Sequence, residues 1–137
     1  MVAMQTESIT RGYKPEPTVL SVTAIEETLT DSYTTILQYN CSDWPGTKIV
    51  TITNTHASKD LTYSIFATNE GDTAEAYDWI TLVGTGGAVA EQTVQEQTSD
   101  YQTTNLAWRQ LRVQVKNTAA GQASSAKIIL RSTVATA

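Results

Sequence analysis

Between Leu106 and Lys116 the chain reads LAWRQLRVQVK, and Leu111, Val113 and Val115 alternate there with Arg112, Gln114 and Lys116. A period of two places three branched apolar side chains on one face of a strand and polar or cationic ones on the other. Leu106 and Trp108 precede them, so the spacing predicts a strand that enters its sheet behind a large aromatic anchor. Such a strand buries one face only, which calls for a second layer across from it. On this reading Val113 tolerates no charge, while Arg112 on the opposite face does. No residue of the segment is poised for chemistry.

The same alternation recurs in short pieces along the chain. Thr18 to Leu29 (TVLSVTAIEETL) reads as a strand giving way to a turn of helix, because Ile25 and Leu29 are four apart. Tyr33 to Tyr39 and Thr47 to Asn54 follow, the second with Val50 and Ile52 on one face and Ile49 and Thr51 on the other. Leu61, Tyr63, Ile65 and Ala67 alternate with Thr62, Ser64, Phe66 and Thr68. Trp79 to Val83 stops at Gly84-Thr85-Gly86-Gly87, Val89 to Gln97 is a polar edge-strand candidate, and Ala126 to Val134 closes the chain. About two dozen threonines favour pleated, half-buried positions over helix. Strands at this spacing predict an all-β fold, a single β-sandwich or jelly-roll-like barrel of about eight short strands over residues 18–137. Residues 1–17 lack periodicity, and Lys14-Pro15-Glu16-Pro17 favours extended backbone. They read as an extended N-terminal arm, either a tail or a strap across a neighbouring subunit anchored by Ile9 and Tyr13.

Charge is segregated along the sequence. All 14 acidic residues lie at or before Asp100, against four basic ones there, a net of −10. The remaining 37 residues hold Arg109, Arg112, Lys116, Lys127 and Arg131 and no acid. Two readings follow: neighbouring strands pair these charges across the surface, or a bipolar surface docks on another copy or on an acidic partner. Arg109, Arg112 and Lys116 are the candidate contact residues of the second. Acidity with scattered bases argues against a nucleic-acid ligand. No window reaches the apolar length of a membrane span. The start of the sequence has no secretory leader pattern, so synthesis in the cytoplasm is expected.

Few side chains suggest reactions. Cys41 is the lone cysteine, which excludes an internal disulfide framework. His56 is the lone histidine and lies in a different loop, so a Cys-His pair has no support from spacing. Zinc would need more nitrogen or sulfur ligands, and the glycine run at 84–87 lacks the lysine of a phosphate-binding loop. Glu70, Asp72, Glu75 and Asp78 form an acidic loop over 69–78 that is either solvated or a calcium ligand set of a spacing unlike the EF-hand. Trp44, Trp79 and Trp108 either pack in the core or at a subunit interface, or, with the tyrosines, line a sugar-stacking face of a carbohydrate-binding or adhesin-type module. No catalytic residue and no cofactor is expected.

From Thr47 onward the order of segments carries a likeness. TITNT (51–55) and LTYSIFATN (61–69) are followed by DWITLV (78–83), a glycine-rich turn and a polar strand; WRQLRVQVKNTAAG (108–121) and a last strand complete the run. This succession resembles small β-sandwich structural proteins of tailed bacteriophage virions, the capsid decoration or cement proteins and head–tail accessory proteins. The resemblance covers about two thirds of the chain and does not extend to the first 45 residues. It implies a non-enzymatic virion component, a homo-oligomer that binds the major capsid protein or other virion proteins.

Overall fold

A computed structural model of the chain describes residues 18–134 apart from Pro45. The expected arm, with Ile9 and Tyr13, therefore lies outside the described residues. Nine strands are present among them: β1 Thr18–Glu26, β2 Thr34–Asn40, β3 Lys48–Asn54, β4 Leu61–Thr68, β5 Ile80–Val83, β6 Gln92–Val94, β7 Ser99–Thr104, β8 Gln110–Asn117 and β9 Ala126–Val134. The one described helical element is a 3-10 turn at Ala76–Asp78. No described helix is long and apolar enough to cross a membrane.

The strands form two antiparallel sheets. Sheet one has the order β1-β9-β3-β7; sheet two has the order β2-β8-β4-β5, with β6 also pairing to β4. All connections except those joining β4, β5 and β6 cross from one sheet to the other. That nesting, with first and last strands adjacent in one sheet and their sequence neighbours facing them, is a jelly roll. It realises the all-β sandwich expected from the sequence.

Alternation decides which side chains meet between the sheets. Leu111, Val113 and Val115 of β8 are completely buried, as are Ile128 and Leu130 of β9 and Ile52 of β3, all in one apolar cluster. Their neighbours in sequence, Arg112, Gln114 and Lys116, lie on the other side of β8 at intermediate exposure. β4 is central in its sheet and buried almost throughout, including its outward Thr62, Ser64 and Thr68.

Several boundaries differ from the sequence reading, each for a local reason. β1 runs to Glu26 and ends in a bend, with no helical turn; Ile25 points outward and is 62% exposed, while the Leu29 amide donates to the Ser124 carbonyl at 2.8 Å. β8 begins at Gln110, so Trp108 is buried in the preceding loop and Leu106 is exposed. The polar stretch 89–97 contributes only β6, three residues long. β7 (SDYQTT) was not expected, because it carries no aliphatic residue.

Polar groups hold β7 and the closed end of the sandwich. Tyr63 of β4 is fully buried and spans the two layers: its hydroxyl donates to Asp100 Oδ2 at 2.6 Å and accepts from Gln102 Nε2 at 3.0 Å, both on β7. Burial, and then the Asp100 carboxylate, push the phenol above its ordinary range. At the end formed by the β1–β2, β3–β4 and β8–β9 connections, two strand-terminal asparagines serve as buried clasps. Asn54 donates to the carbonyls of Lys59 and Val94 and accepts from the His56 amide and the Ser124 hydroxyl. Asn117 donates to the Leu29 carbonyl and to Asp31 Oδ1, and accepts from the Ser124 amide. Burying an amide is tolerated only with its hydrogen bonds made.

Two stability predictions follow from this arrangement. Val113→Asp inserts an unpaired carboxylate into the interlayer and costs several kcal/mol, roughly a domain's whole margin. Arg112→Asp, whose loss is confined to ring contacts described below, costs about 1–2 kcal/mol. Denaturant unfolding that ranks the two equally would contradict the facing. Separately, hydrogen bonds from Asn117 and from the Gly121 amide hold Asp31 below its ordinary carboxyl value of 3.8. The native state then binds fewer protons than the unfolded state below that value. The stabilisation is complete above 3.8 and lost as pH falls through the lower native value. Acid unfolding of Asp31→Asn should lack that part of the pH dependence; an unchanged acid limb would contradict the clasp.

Candidate functional site

The two outer faces of the sandwich differ in what covers them. On sheet two, the basic side chains of β8 are already engaged. The Arg112 guanidinium lies 4.2 Å from the centroid of the Trp79 ring and 5.1 Å from that of Phe66. Its Nε is buried with no hydrogen-bond partner, and burial lowers its pKa. Lys116 Nζ lies 4.8 Å from the centroid of Tyr33. The Tyr33 hydroxyl reaches on to Glu91, and burial followed by that hydrogen bond pushes its phenol up to about 12. Arg112 and Lys116, expected as contact residues, thus serve to bind aromatic rings onto their own sheet. Sequence reasoning missed this because Tyr33, Phe66 and Trp79 come from distant segments.

On sheet one the register brings together three outward ladder rows. They read Ile25-Lys127-Thr53-Ser99, Thr23-Ile129-Thr51-Tyr101 and Ser21-Arg131-Ile49-Thr103. No acid occurs in them, and neither Lys127 nor Arg131 has an ion-pair partner among the described residues. The cross-strand charge pairing considered from the sequence is therefore absent from this face. Ile25 and Tyr101 stand exposed at opposite edges, Tyr101 at 64%. The alternation Lys127, Ile129, Arg131 held the signal for this face.

A third feature is a cleft of about 580 Å³ at the end of the sandwich opposite the asparagine clasps. The β2–β3, β4–β5 and β7–β8 connections build it, and Lys48, Arg109, Asp43 and Asn105 are among its lining residues. Cys41 lies here too; its thiol donates to the Trp108 carbonyl, and burial raises its pKa while nearby Lys48 acts against the rise. Arg109 projects from a fixed backbone: its carbonyl accepts from the Cys41 amide at 2.8 Å and its amide donates to the Thr68 carbonyl at 3.1 Å. Gly71 lies beneath its guanidinium, where a Cβ would come within 3.4 Å of Cζ.

Other residues singled out in the sequence have local roles. His56 accepts at Nδ1 from the Ser58 and Lys59 amides and so shapes the β3–β4 connection. It lies at the other end of β3 from Cys41, and the two do not meet. In the acidic loop, Asp78 accepts from the Glu75 amide at 2.8 Å, closing the 3-10 turn. Among the described residues no three His, Cys, Asp or Glu side chains converge on a metal position. Trp44 and Trp108 are 9% and 8% exposed; Trp44 packs on Tyr39 at 5.0 Å and Trp108 Nε1 donates to Thr104 Oγ1. With Trp79 against Arg112, the three indoles do not form an exposed stacking row.

Neither a family model nor a curated protein matches the sequence. Among solved structures, the chain is similar to the SPBc2 prophage-derived protein YomS, with 15% identity over 88% of this chain and 98% of that one, at a TM-score of 0.50. A weaker likeness, TM-score 0.47 at 13% identity, links 88% of this chain to 33% of a chain of infectious bursal disease virus Gx strain. Another, at 0.42 and 17% identity over 88% and 93%, is to Bacillus endospore appendages, described as disulfide-linked pili. At such identities the likeness to YomS is one of fold, and the other two bear no argument.

Proposed function

We propose that this chain is a non-enzymatic structural protein of a tailed-phage virion, a decoration or cement protein that binds and stabilises the head lattice. The observation that carries the reading is the outer face of sheet one. It spans four strands, its three outward rows hold Lys127 and Arg131 with no ion-pair partner among the described residues and no acid, and it exposes isoleucine, threonine and tyrosine around them. Such a face suits an acidic, polar protein surface: complementary charge sets approach and register, and exposed Tyr101 and Ile25 supply apolar contact. The fold shared with a prophage-derived protein and the sequence resemblance to phage structural proteins both support this reading. In it the partner is the major capsid protein or another virion protein, the location is the virion, and residues 1–17 are a strap whose Ile9 and Tyr13 hold a neighbouring subunit. Ordering such a segment on assembly is helped by Pro15 and Pro17, which restrict the free chain.

Two measurements test this. Lys127→Glu with Arg131→Glu should weaken binding to virus heads lacking the protein by about tenfold or more, since each 1.4 kcal/mol is a factor of ten. The melting temperature of the isolated protein should hardly move, because both side chains lie on an open face. Undiminished binding would overturn the docking face. A chain beginning at Thr18 should melt as the full chain does and bind heads less tightly; equal binding would remove the strap.

A further inference from the structure

The cleft at the loop end contains a cation that has no counter-charge among the described residues. Lys48 sits on the inward row of β3 with Val50 and Ile52 and is 2% exposed. Its ammonium donates to one carbonyl, that of Gly46 at 3.3 Å, and has no carboxylate partner among the described residues. An ammonium carries three donors, and withdrawing its charge from water is costly unless an anion and further hydrogen bonds replace the lost solvent. Arg109 lines the same cleft, its backbone hydrogen-bonded to Cys41 just after β2 and to Thr68 of β4, and its side chain exposed. The one acid among the lining residues, Asp43, is exposed and forms no ion pair with Lys48. A cation of β3 and one of the β7–β8 connection therefore line a single concave site with room for a side chain.

We propose that this cleft binds a carboxylate of a partner polypeptide, an Asp or Glu side chain, with Lys48 as the buried counter-charge and Arg109 as the outer donor. An Arg fork matches a carboxylate with two parallel hydrogen bonds, and a point charge behind it fixes depth. Asn69 and Asn105 at the cleft provide amides for the partner's backbone. An acidic sugar is disfavoured because Trp44 and Trp108, which also line the cleft, are buried and offer no stacking platform. The site lies at an end of the sandwich, apart from the face of sheet one, and its occupation does not depend on the virion reading.

The test is an amide-resolved NMR titration of the full chain with the neutral-ended peptide acetyl-Gly-Glu-Gly-amide. Shifts should concentrate in residues 41–48 and 105–109 and saturate in the roughly millimolar range expected for one ion-paired contact. The Gln peptide should bind at least about tenfold more weakly, as should the Glu peptide to Lys48→Met and to Arg109→Gln. Arg109 is exposed, so its variant keeps the test valid if Lys48→Met does not fold. Equal binding of the Glu and Gln peptides, unchanged binding by Arg109→Gln, or shifts elsewhere would overturn the proposal. Tighter binding of N-acetylneuraminic acid than of the Glu peptide would also overturn it, in favour of a saccharide site.

Discussion

The apolar layer between the sheets is the constraint on which the rest of this molecule depends. Val50 and Ile52 of β3, Ile128 and Leu130 of β9, and Leu111, Val113 and Val115 of β8 each come from a strand whose alternate residues are polar or charged except for Ile49 and Ile129. Each such strand can satisfy itself only by turning one face to the other sheet, and removing a side chain of this size from water contributes about 1.5–3 kcal/mol. Once the faces are set, register is set too, because a slip of one residue would exchange Val113 for Arg112. The jelly-roll nesting then follows from sending consecutive strands to opposite sheets and ending with β9 against β1.

What remains outside the layer explains how the two faces can diverge. Sheet two carries rings from three segments, and they cover its cations: Trp79 and Phe66 at Arg112, Tyr33 at Lys116. Sheet one has no such cover, and its acids point elsewhere. Asp100 turns inward to Tyr63, and Glu26 lies on the inward row of β1. The segregation of acidic and basic residues along the chain therefore becomes a surface property on one sheet only. Asn54, Asn117 and Tyr63 are buried with hydrogen bonds that satisfy them, and Lys48 is buried where a cleft opens beside it.

Much of this was legible from residues alone. β3, β4, β8 and β9 follow from period-two patterns. β7 was not legible, since SDYQTT has no apolar alternation; its inward Asp100 and Gln102 are held by a tyrosine 37 and 39 residues away in sequence. The rings over Arg112 and Lys116 were not legible, because the pattern gives the face of a strand and not what lies over it. Lys48 could have been found: it shares parity with Val50 and Ile52, which places a lysine on a buried row. The outward rows of sheet one needed the pairing of four strands remote in sequence, which alternation does not supply.

The most direct measurement is a cryo-electron microscopy reconstruction of the assembled virus head with this protein bound. Density for it is expected on the lattice, with the β9 and β3 side of the sandwich toward the capsid and acidic residues of the capsid protein opposite Lys127 and Arg131. A reconstruction in which that face looks into solvent, or in which the protein has no place on the head, would contradict that placement.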